Sequence, residues 1–336
     1  MTASSGSFWK KTLRWLPGAL ISLVAIFFVL KLAQWEDLGP ALQRFSFLHI
    51  AGMVVLTLLF LGIRAVASRV MLQGIPKLSD AFWAINQGYL LNNLFPFRLG
   101  EIGRAVLLGQ KTGLPAARVL SSVIIERALD IAVAASMLLA TLPLALEMDW
   151  AKPVAILMLA LVLAGLAGLY FMARNSDRVS TWIEKFGSRW QWAGKWVTPQ
   201  VRSLLTGMAP LTDLRRFLTI VGLILLSWAV VFFVYYVGLL ALVPSAPLWW
   251  GLFTDAVLAL GIAIPSAPAS IGTFEAAILG ALSILGIDQT SALAYGITVH
   301  FIQIALTGAL GMIGLVRQGG SVTGIFRELQ DRKSAA

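Results

Sequence analysis

Cysteine is absent from the 336 residues, histidine occurs twice, and charged residues make up only 12% of the chain. Without cysteine there are no disulfides, thiolate metal sites or thiol nucleophiles. Two histidines with no thiol partner do not assemble a zinc site. No G-x-x-x-x-G-K-[ST] occurs, so the chain has no P-loop for hydrolysing ATP. H-E-x-x-H and G-x-S-x-G are also missing, and the outer loops lack an aspartate cluster for divalent-metal chemistry. No cofactor is therefore expected, and no enzyme. The poverty of charge excludes a soluble domain, which carries about 25% charged residues.

What fills the chain is apolar: 58% of it is hydrophobic. This composition reads as an integral membrane protein with one transmembrane domain over residues 1–316 and a cytoplasmic tail over 317–336. The net charge of +10 could suggest nucleic acid, but the basic residues cluster in loops. Cytoplasmic placement of positive charge and anionic lipid headgroups account for them, and nucleic acid is not expected. Lys10, Lys11 and Arg14 precede an apolar run from Leu16 to Leu30. No small-residue cleavage site follows, so this reads as an uncleaved first span.

A bilayer core of about 30 Å takes roughly 20 apolar residues as helix. Six stretches qualify or nearly do: 16–33, 47–63, 119–142, 153–173, 217–243 and 291–316. Three fall short, at 82–97, 249–264 and 273–287, and these flank two breaks rich in proline and glycine. One break is Asn92-Asn93-Leu94-Phe95-Pro96-Phe97-Arg98-Leu99-Gly100-Glu101-Ile102-Gly103-Arg104; the other is Pro265-Ser266-Ala267-Pro268-Ala269-Ser270-Ile271-Gly272-Thr273-Phe274-Glu275. Interrupted backbone at membrane depth survives only where protein or a watery cavity surrounds it. Short broken segments in matching positions of two halves point to a transport site.

Charge sets the topology. With both termini in the cytoplasm and each broken segment a re-entrant hairpin, Lys10, Arg64, Arg98, Lys111, Arg118 and eight basic residues between Arg174 and Arg216 fall inside. Glu36, Asp37, Glu147, Asp149 and Asp288 fall outside. The fold expected is all-α: a polytopic bundle of about six full spans plus two re-entrant helical hairpins, as inverted repeats over 47–142 and 217–316. The hairpins share a loose pattern, Pro96-x-x-x-Gly100-Glu101 and Pro268-x-x-x-Gly272-x-x-Glu275. Between the repeats, 174–216 alternates Trp182, Phe186, Trp190, Trp192 and Trp196 with basic residues, which suits an amphipathic helix at the lipid surface.

Pro96 breaks the first hairpin, Gly100 and Gly103 permit close approach, and a helix restarting near Leu99 would present N–H groups inward. Arg98 adds a planar donor suited to phosphate, and Asn92 and Asn93 add amides. Glu101 and Arg104 lie three apart and could pair; Arg104 could equally reach out to the interface. Glu126, Arg127 and Asp130 fall within a span, either as a lock between helices or as part of a gate or headgroup site. Pro268 and Gly272 break the second hairpin, and Glu275 is an intramembrane carboxylate and so a functional candidate. His300, with Gln303 three residues on, reads either as a proton relay with Glu275 or as a structural hydrogen-bonder.

These motifs, in order, resemble the flippase-like transmembrane region of bacterial lysylphosphatidylglycerol synthases and its stand-alone relatives. The family pattern N-x-x-x-P-x-R-x-G-E-x-x-R-A, then E-R-x-x-D, then P-x-x-P-x-x-x-G-x-x-E matches here. The resemblance implies a bundle that moves phospholipids between leaflets. It marks Asn93, Pro96, Arg98, Gly100, Glu101, Arg104, Glu126, Arg127, Asp130, Pro268, Gly272 and Glu275 as functional positions. The aminoacyltransferase domain of the fused synthases is not expected in this chain. The function expected is lipid translocation in a bacterial inner membrane, of a phosphate-bearing or aminoacylated phospholipid or another anionic lipid. A membrane-embedded transferase and a scaffold of a lipid-modifying complex are the alternatives. The protein partners this reading admits are a second copy of the chain, as a homodimer, and a lipid-synthesising enzyme.

Overall fold

A computed structural model describes residues 35–95, 98–146, 151–175, 212–263 and 266–318, with Leu23, Val24, Phe27, Arg178, Thr181 and Lys185 as single positions. Most of the first expected span, most of the 174–216 interlude, Pro96, Pro265 and the tail beyond Gln318 lie outside the described residues. All regular structure among the described residues is helical.

A short helix α1 (Trp35–Gln43) leads into the long α2 (Phe47–Met71). Helices α3 (Leu78–Leu94) and α4 (Leu99–Thr112) form the first broken pair, followed by α5 (Ala116–Leu146) and α6 (Ala151–Arg174). Helix α7 (Leu214–Leu242) opens the second half. The pair α8 (Leu248–Gly261) and α9 (Thr273–Ile284) flanks a 3₁₀ turn at Pro268–Ser270, and α10 (Gln289–Arg317) closes the set. Four described helices, α2, α5, α7 and α10, are long and apolar enough to cross a membrane. They coincide with four of the six expected stretches. The fifth, 153–173, is helix α6. Helices α4 and α8 have 14 residues each, about 21 Å at 1.5 Å per residue, too short to span.

The packing repeats itself. Helix α2 lies along α7, and the two run antiparallel: a Cβ on Gly52 would meet Val237, Gly238 faces Met53, and Ala67 and Met71 share a buried cluster with Ile220 and Ile224. Around this pair, α3 packs on α10 as α8 packs on α5. Helices α3 and α4 fold against each other as α8 and α9 do, and α4 packs on α5 as α9 packs on α10. Exchanging the α2–α5 unit with the α7–α10 unit therefore preserves these packing pairs. With the central pair antiparallel, the units are related as inverted copies. The largest buried apolar cluster joins α7 to α10, with Phe253, Tyr295 and Leu239 among its members.

Candidate functional site

The break between α3 and α4 is built from close contact. A Cβ at Gly100 would overlap the carbonyl oxygen of Gly88, so only glycine lets the two half-helices close. Asn92 Oδ1 accepts from the Gly100 N–H at 2.8 Å, and the Arg98 carbonyl accepts from the Glu101 N–H at 3.1 Å. These bonds occupy N–H groups that the sequence suggested were free for a ligand. Arg98 caps α4 in the left-handed region at φ 52°, a conformation that costs a non-glycine residue about 1–2 kcal/mol. Its guanidinium reaches the second half, where Nη2 donates to the Ile262 carbonyl at 2.7 Å. Ile262 caps the end of α8, so the two hairpin tips touch.

The second break is closed from within. The Gly272 N–H donates to Glu275 Oε2 at 2.7 Å, the glutamate half of a capping box whose other half glycine cannot supply, with Gly272 at φ 87°. Pro268 opens the 3₁₀ turn, in which Ala269 and Ser270 both have positive φ. Glu275 Oε1 lies 2.6 Å from His300 Nδ1, and His300 Nε2 lies 2.8 Å from the Ala269 carbonyl. Both ring nitrogens face oxygen acceptors, so the pair needs one proton more than a neutral imidazole and a carboxylate carry. The Phe274 ring stacks on the imidazole at 4.0 Å. Gln303 donates to the Tyr235 hydroxyl at 2.8 Å, so the relay expected through Gln303 is not formed by a bond to His300.

Helix starts, rather than glycines, align the two halves. Glu101 is the third residue of α4 and Glu275 the third of α9, with Arg98 and Gly272 at the caps. The apparent match of Gly100 to Gly272 is out of register by two positions. The corrected register shows a second equivalence. Glu101 meets Arg127 at 3.8 Å, and Arg127 is the twelfth residue of α5. Glu275 meets His300, the twelfth residue of α10. Each half thus ties the start of its second half-helix to the same point of its last helix.

The charges of the first half form one network. Arg104 does not pair with Glu101 and does not reach the interface; it is 5% exposed and makes two bonds to Glu126, at 3.0 and 3.3 Å. Arg127 reaches Glu126 at 2.9 Å and Asp130 at 3.2 Å. Arg64, expected in a cytoplasmic stretch, is buried in α2 and meets Asp130 at 2.6 Å and Glu126 at 3.5 Å. The indole N–H of Trp228 also donates to Asp130 Oδ1, at 2.9 Å, while Oδ2 has the Arg127 ion pair at 3.2 Å and no hydrogen bond. Arg98 and Arg127 each stand 3.8 Å from Glu101, beyond hydrogen-bond range. Four guanidiniums and three carboxylates leave the cluster one positive charge in excess.

Both tips open on one cavity of about 260 Å³. From the first half it is lined by Tyr89, Asn92, Asn93, Arg98, Gly100, Glu101, Arg104 and Arg127; from the second by Tyr235, Ser266, Ser270, His300, Gln303 and Thr307. Phe60, Ile85, Val231 and Ile304 supply apolar wall. Asn93 donates to Thr307 at 3.1 Å, joining the halves within it. Glu126, Asp130 and Glu275 stand behind the lining rather than on it. Among the described residues no group of histidine and acidic side chains suits a metal ion.

The Lysylphosphatidylglycerol synthase TM region model matches residues 15–311, most of the chain. The chain belongs to that family. No curated protein and no solved structure matches it. For this family member the motif residues fall into two sets, those on the cavity wall and those that hold the wall in place. Arg64 and Asp255 escaped sequence reading. Asp255 is 3% exposed in α8, with Oδ2 lacking a hydrogen-bond partner. A lone carboxyl inside a short apolar helix is the signal that marks it.

Proposed function

We propose that the chain is a lipid translocator of a bacterial inner membrane, with both termini in the cytoplasm, and that it carries no catalytic activity of its own. It binds the phosphate-bearing headgroup of a phospholipid between the hairpins and passes it from one leaflet to the other. One observation carries this reading: both hairpin tips line a single cavity whose wall holds three guanidiniums and one carboxylate. Guanidinium groups offer forked donors that match phosphate. The cavity is small against the pockets of about 300–1,000 Å³ that take drug-sized ligands, so it suits a headgroup and leaves the acyl chains in lipid. Family membership supports a lipid-related role in the membrane.

A transferase would need a carboxylate free to act as general base. Glu126 and Asp130 are engaged by arginines and stand behind the wall, so a transferase reading rests on Glu101, the one carboxylate of the lining, which lies between Arg98 and Arg127 at 3.8 Å each. The test is reconstitution of the purified chain into liposomes carrying a fluorescent anionic phospholipid. Exposure of inner-leaflet probe to an external quencher should speed up, and Glu101→Gln should slow it to the rate of protein-free vesicles. Unchanged rates with wild-type protein for every anionic lipid tried refute the reading.

A further inference from the structure

One proton ties the second hairpin tip to α10. The Ala269 carbonyl can only accept, so His300 Nε2, 2.8 Å away, has to donate to it. The contact of His300 Nδ1 with Glu275 Oε1 at 2.6 Å then needs a hydrogen of its own. Ring and carboxyl group are equivalent carriers for it; in either case the pair holds one proton more than a neutral imidazole and a carboxylate do. The imidazole is buried, and the Phe274 ring stacked on its face at 4.0 Å keeps water from that side.

What the proton secures is strained backbone. Ala269 and Ser270 have φ of 55° and 57°, the left-handed region that side chains disfavour. Both residues line the cavity, and so does His300. Take the proton away and a single N–H serves two acceptors. The charged carboxylate keeps it as the stronger acceptor, which leaves a bare ring nitrogen facing the Ala269 oxygen. The remaining ties of the turn are the Thr273 hydroxyl on the Ser270 carbonyl, at 2.9 Å, and its own backbone bonds. Of the other titratable groups on elements packed around the pair, Tyr89 belongs to α3, Tyr235 to α7 and Asp255 to α8. Arg98, Glu101, Arg104 and Arg127 face it across the cavity. Among the described residues none of these has a hydrogen bond or an ion pair to His300 or Glu275.

We propose that Glu275 and His300 together form a proton-binding site, that the bound proton latches the second hairpin tip over the cavity, and that lipid movement is thereby coupled to protons. The coupling rests on the translocator reading above; the latch stands without it. Proton loss to water frees the Ala269 carbonyl, the turn relaxes and the cavity opens on that side. Proton uptake closes it again.

The absence of native cysteine lets the tip be read directly. Ser270→Cys puts one thiol in the turn at a side chain that carries no hydrogen bond among the described residues. Its reaction with a maleimide is followed in the purified full chain in detergent, from about pH 5 to about pH 9, a range that brackets imidazole titration. Glu275→Gln in the same background is the reference. Its amide donates to Nδ1 and still accepts from the Gly272 N–H, so it imitates the protonated pair at every pH. Dividing by its rate cancels the pH dependence of the thiol itself. The ratio should rise about tenfold toward high pH, the scale of one hydrogen bond to a charged group. His300→Leu should keep the ratio high at low pH too. A flat ratio overturns the latch.

The coupling is read in liposomes carrying a fluorescent anionic phospholipid, with the membrane potential clamped. A pH difference across the membrane should drive the probe beyond equal shares in the two leaflets, a protonophore should abolish the excess, and Glu275→Gln should show none. Lipid movement indifferent to the pH difference overturns the coupling and leaves the translocator intact. No movement of any lipid, with a ratio that still rises, sinks the translocator and its coupling and leaves the proton site standing.

Discussion

Arg64 is 4% exposed in the middle of α2, with one guanidinium nitrogen 2.6 Å from Asp130 and another 3.5 Å from Glu126. Removing it takes from Asp130 its shortest ion pair and from Glu126 one of three guanidiniums, and breaking a buried pair in this way costs about 3–5 kcal/mol. Arg64→Met should therefore lower the melting temperature, read by circular dichroism in detergent, far more than Arg118→Met at an exposed position. Arg64→Lys should fall between, because an ammonium lacks the fork that serves two carboxylates. Sequence placed Arg64 in a cytoplasmic stretch because it lies near the end of its apolar run, and only the facing helix α5 reveals its partners. The charges of α5 itself were legible, since ionised groups within a span have to face the bundle. The Arg127–Asp130 pair, three apart, was legible as well; the pairing between helices was not, because the three-residue rule sees one helix only and Arg104 finds Glu126 on another.

Asp288 illustrates a residue outside the spans. Partial burial opposes its charge, but the Ser291 N–H at 2.8 Å, the Ser291 hydroxyl and nearby Arg44 prevail and hold its carboxyl below the usual aspartate range. A depressed value in the folded protein stabilises it above the unfolded value of about 3.9, and that support is lost as pH falls through the folded value. Acidification below about pH 4 should thus loosen the start of α10, seen as faster amide exchange there. Asp288→Asn, which keeps the cap, should remove this part of the pH response.

At the scale of elements, the breaks between half-helices were readable from proline and glycine, while their register was not. Matching Gly100 to Gly272 by eye put the halves two positions out. The helix starts at Leu99 and Thr273 correct it and bring Glu101 and Glu275 into equivalence. No sequence rule gives this, because Arg98 occupies a left-handed conformation that glycine normally takes. The closeness of α3 and α4 predicts that Gly100→Ala forces the hairpin apart. It should abolish cooperative melting or cost several degrees, whereas Gly165→Ala in α6, with open space around it, should change the melting temperature little. Glu275→Gln keeps an acceptor for the Gly272 N–H and should fold; Glu275→Ala loses the cap, at about 1 kcal/mol.

At the scale of the molecule, the all-helical membrane fold followed from composition, and the two-unit plan followed from charge in loops. The contact between the units did not, because it depends on antiparallel packing of α2 on α7. The absence of native cysteine makes that contact easy to probe. Asn93 and Thr307 meet at 3.1 Å across the halves. An Asn93→Cys, Thr307→Cys pair should oxidise to a single internal disulfide, detected by a gel shift after proteolysis between residues 174 and 216 and reversed by reductant. Failure of the pair to join under mild oxidant would contradict the packing described.

The antiparallel arrangement of the halves bears on vectorial work. A device made of two identical, oppositely inserted parts would look the same from either side of the bilayer and could only equalise its two leaflets. Here the parts are matched in backbone and unequal in chemistry: one sets its glutamate 3.8 Å from a guanidinium, the other holds its glutamate 2.6 Å from an imidazole nitrogen. Any preference for inward or outward traffic has to originate in such mismatches, and Arg127 against His300 is the first place to look for it.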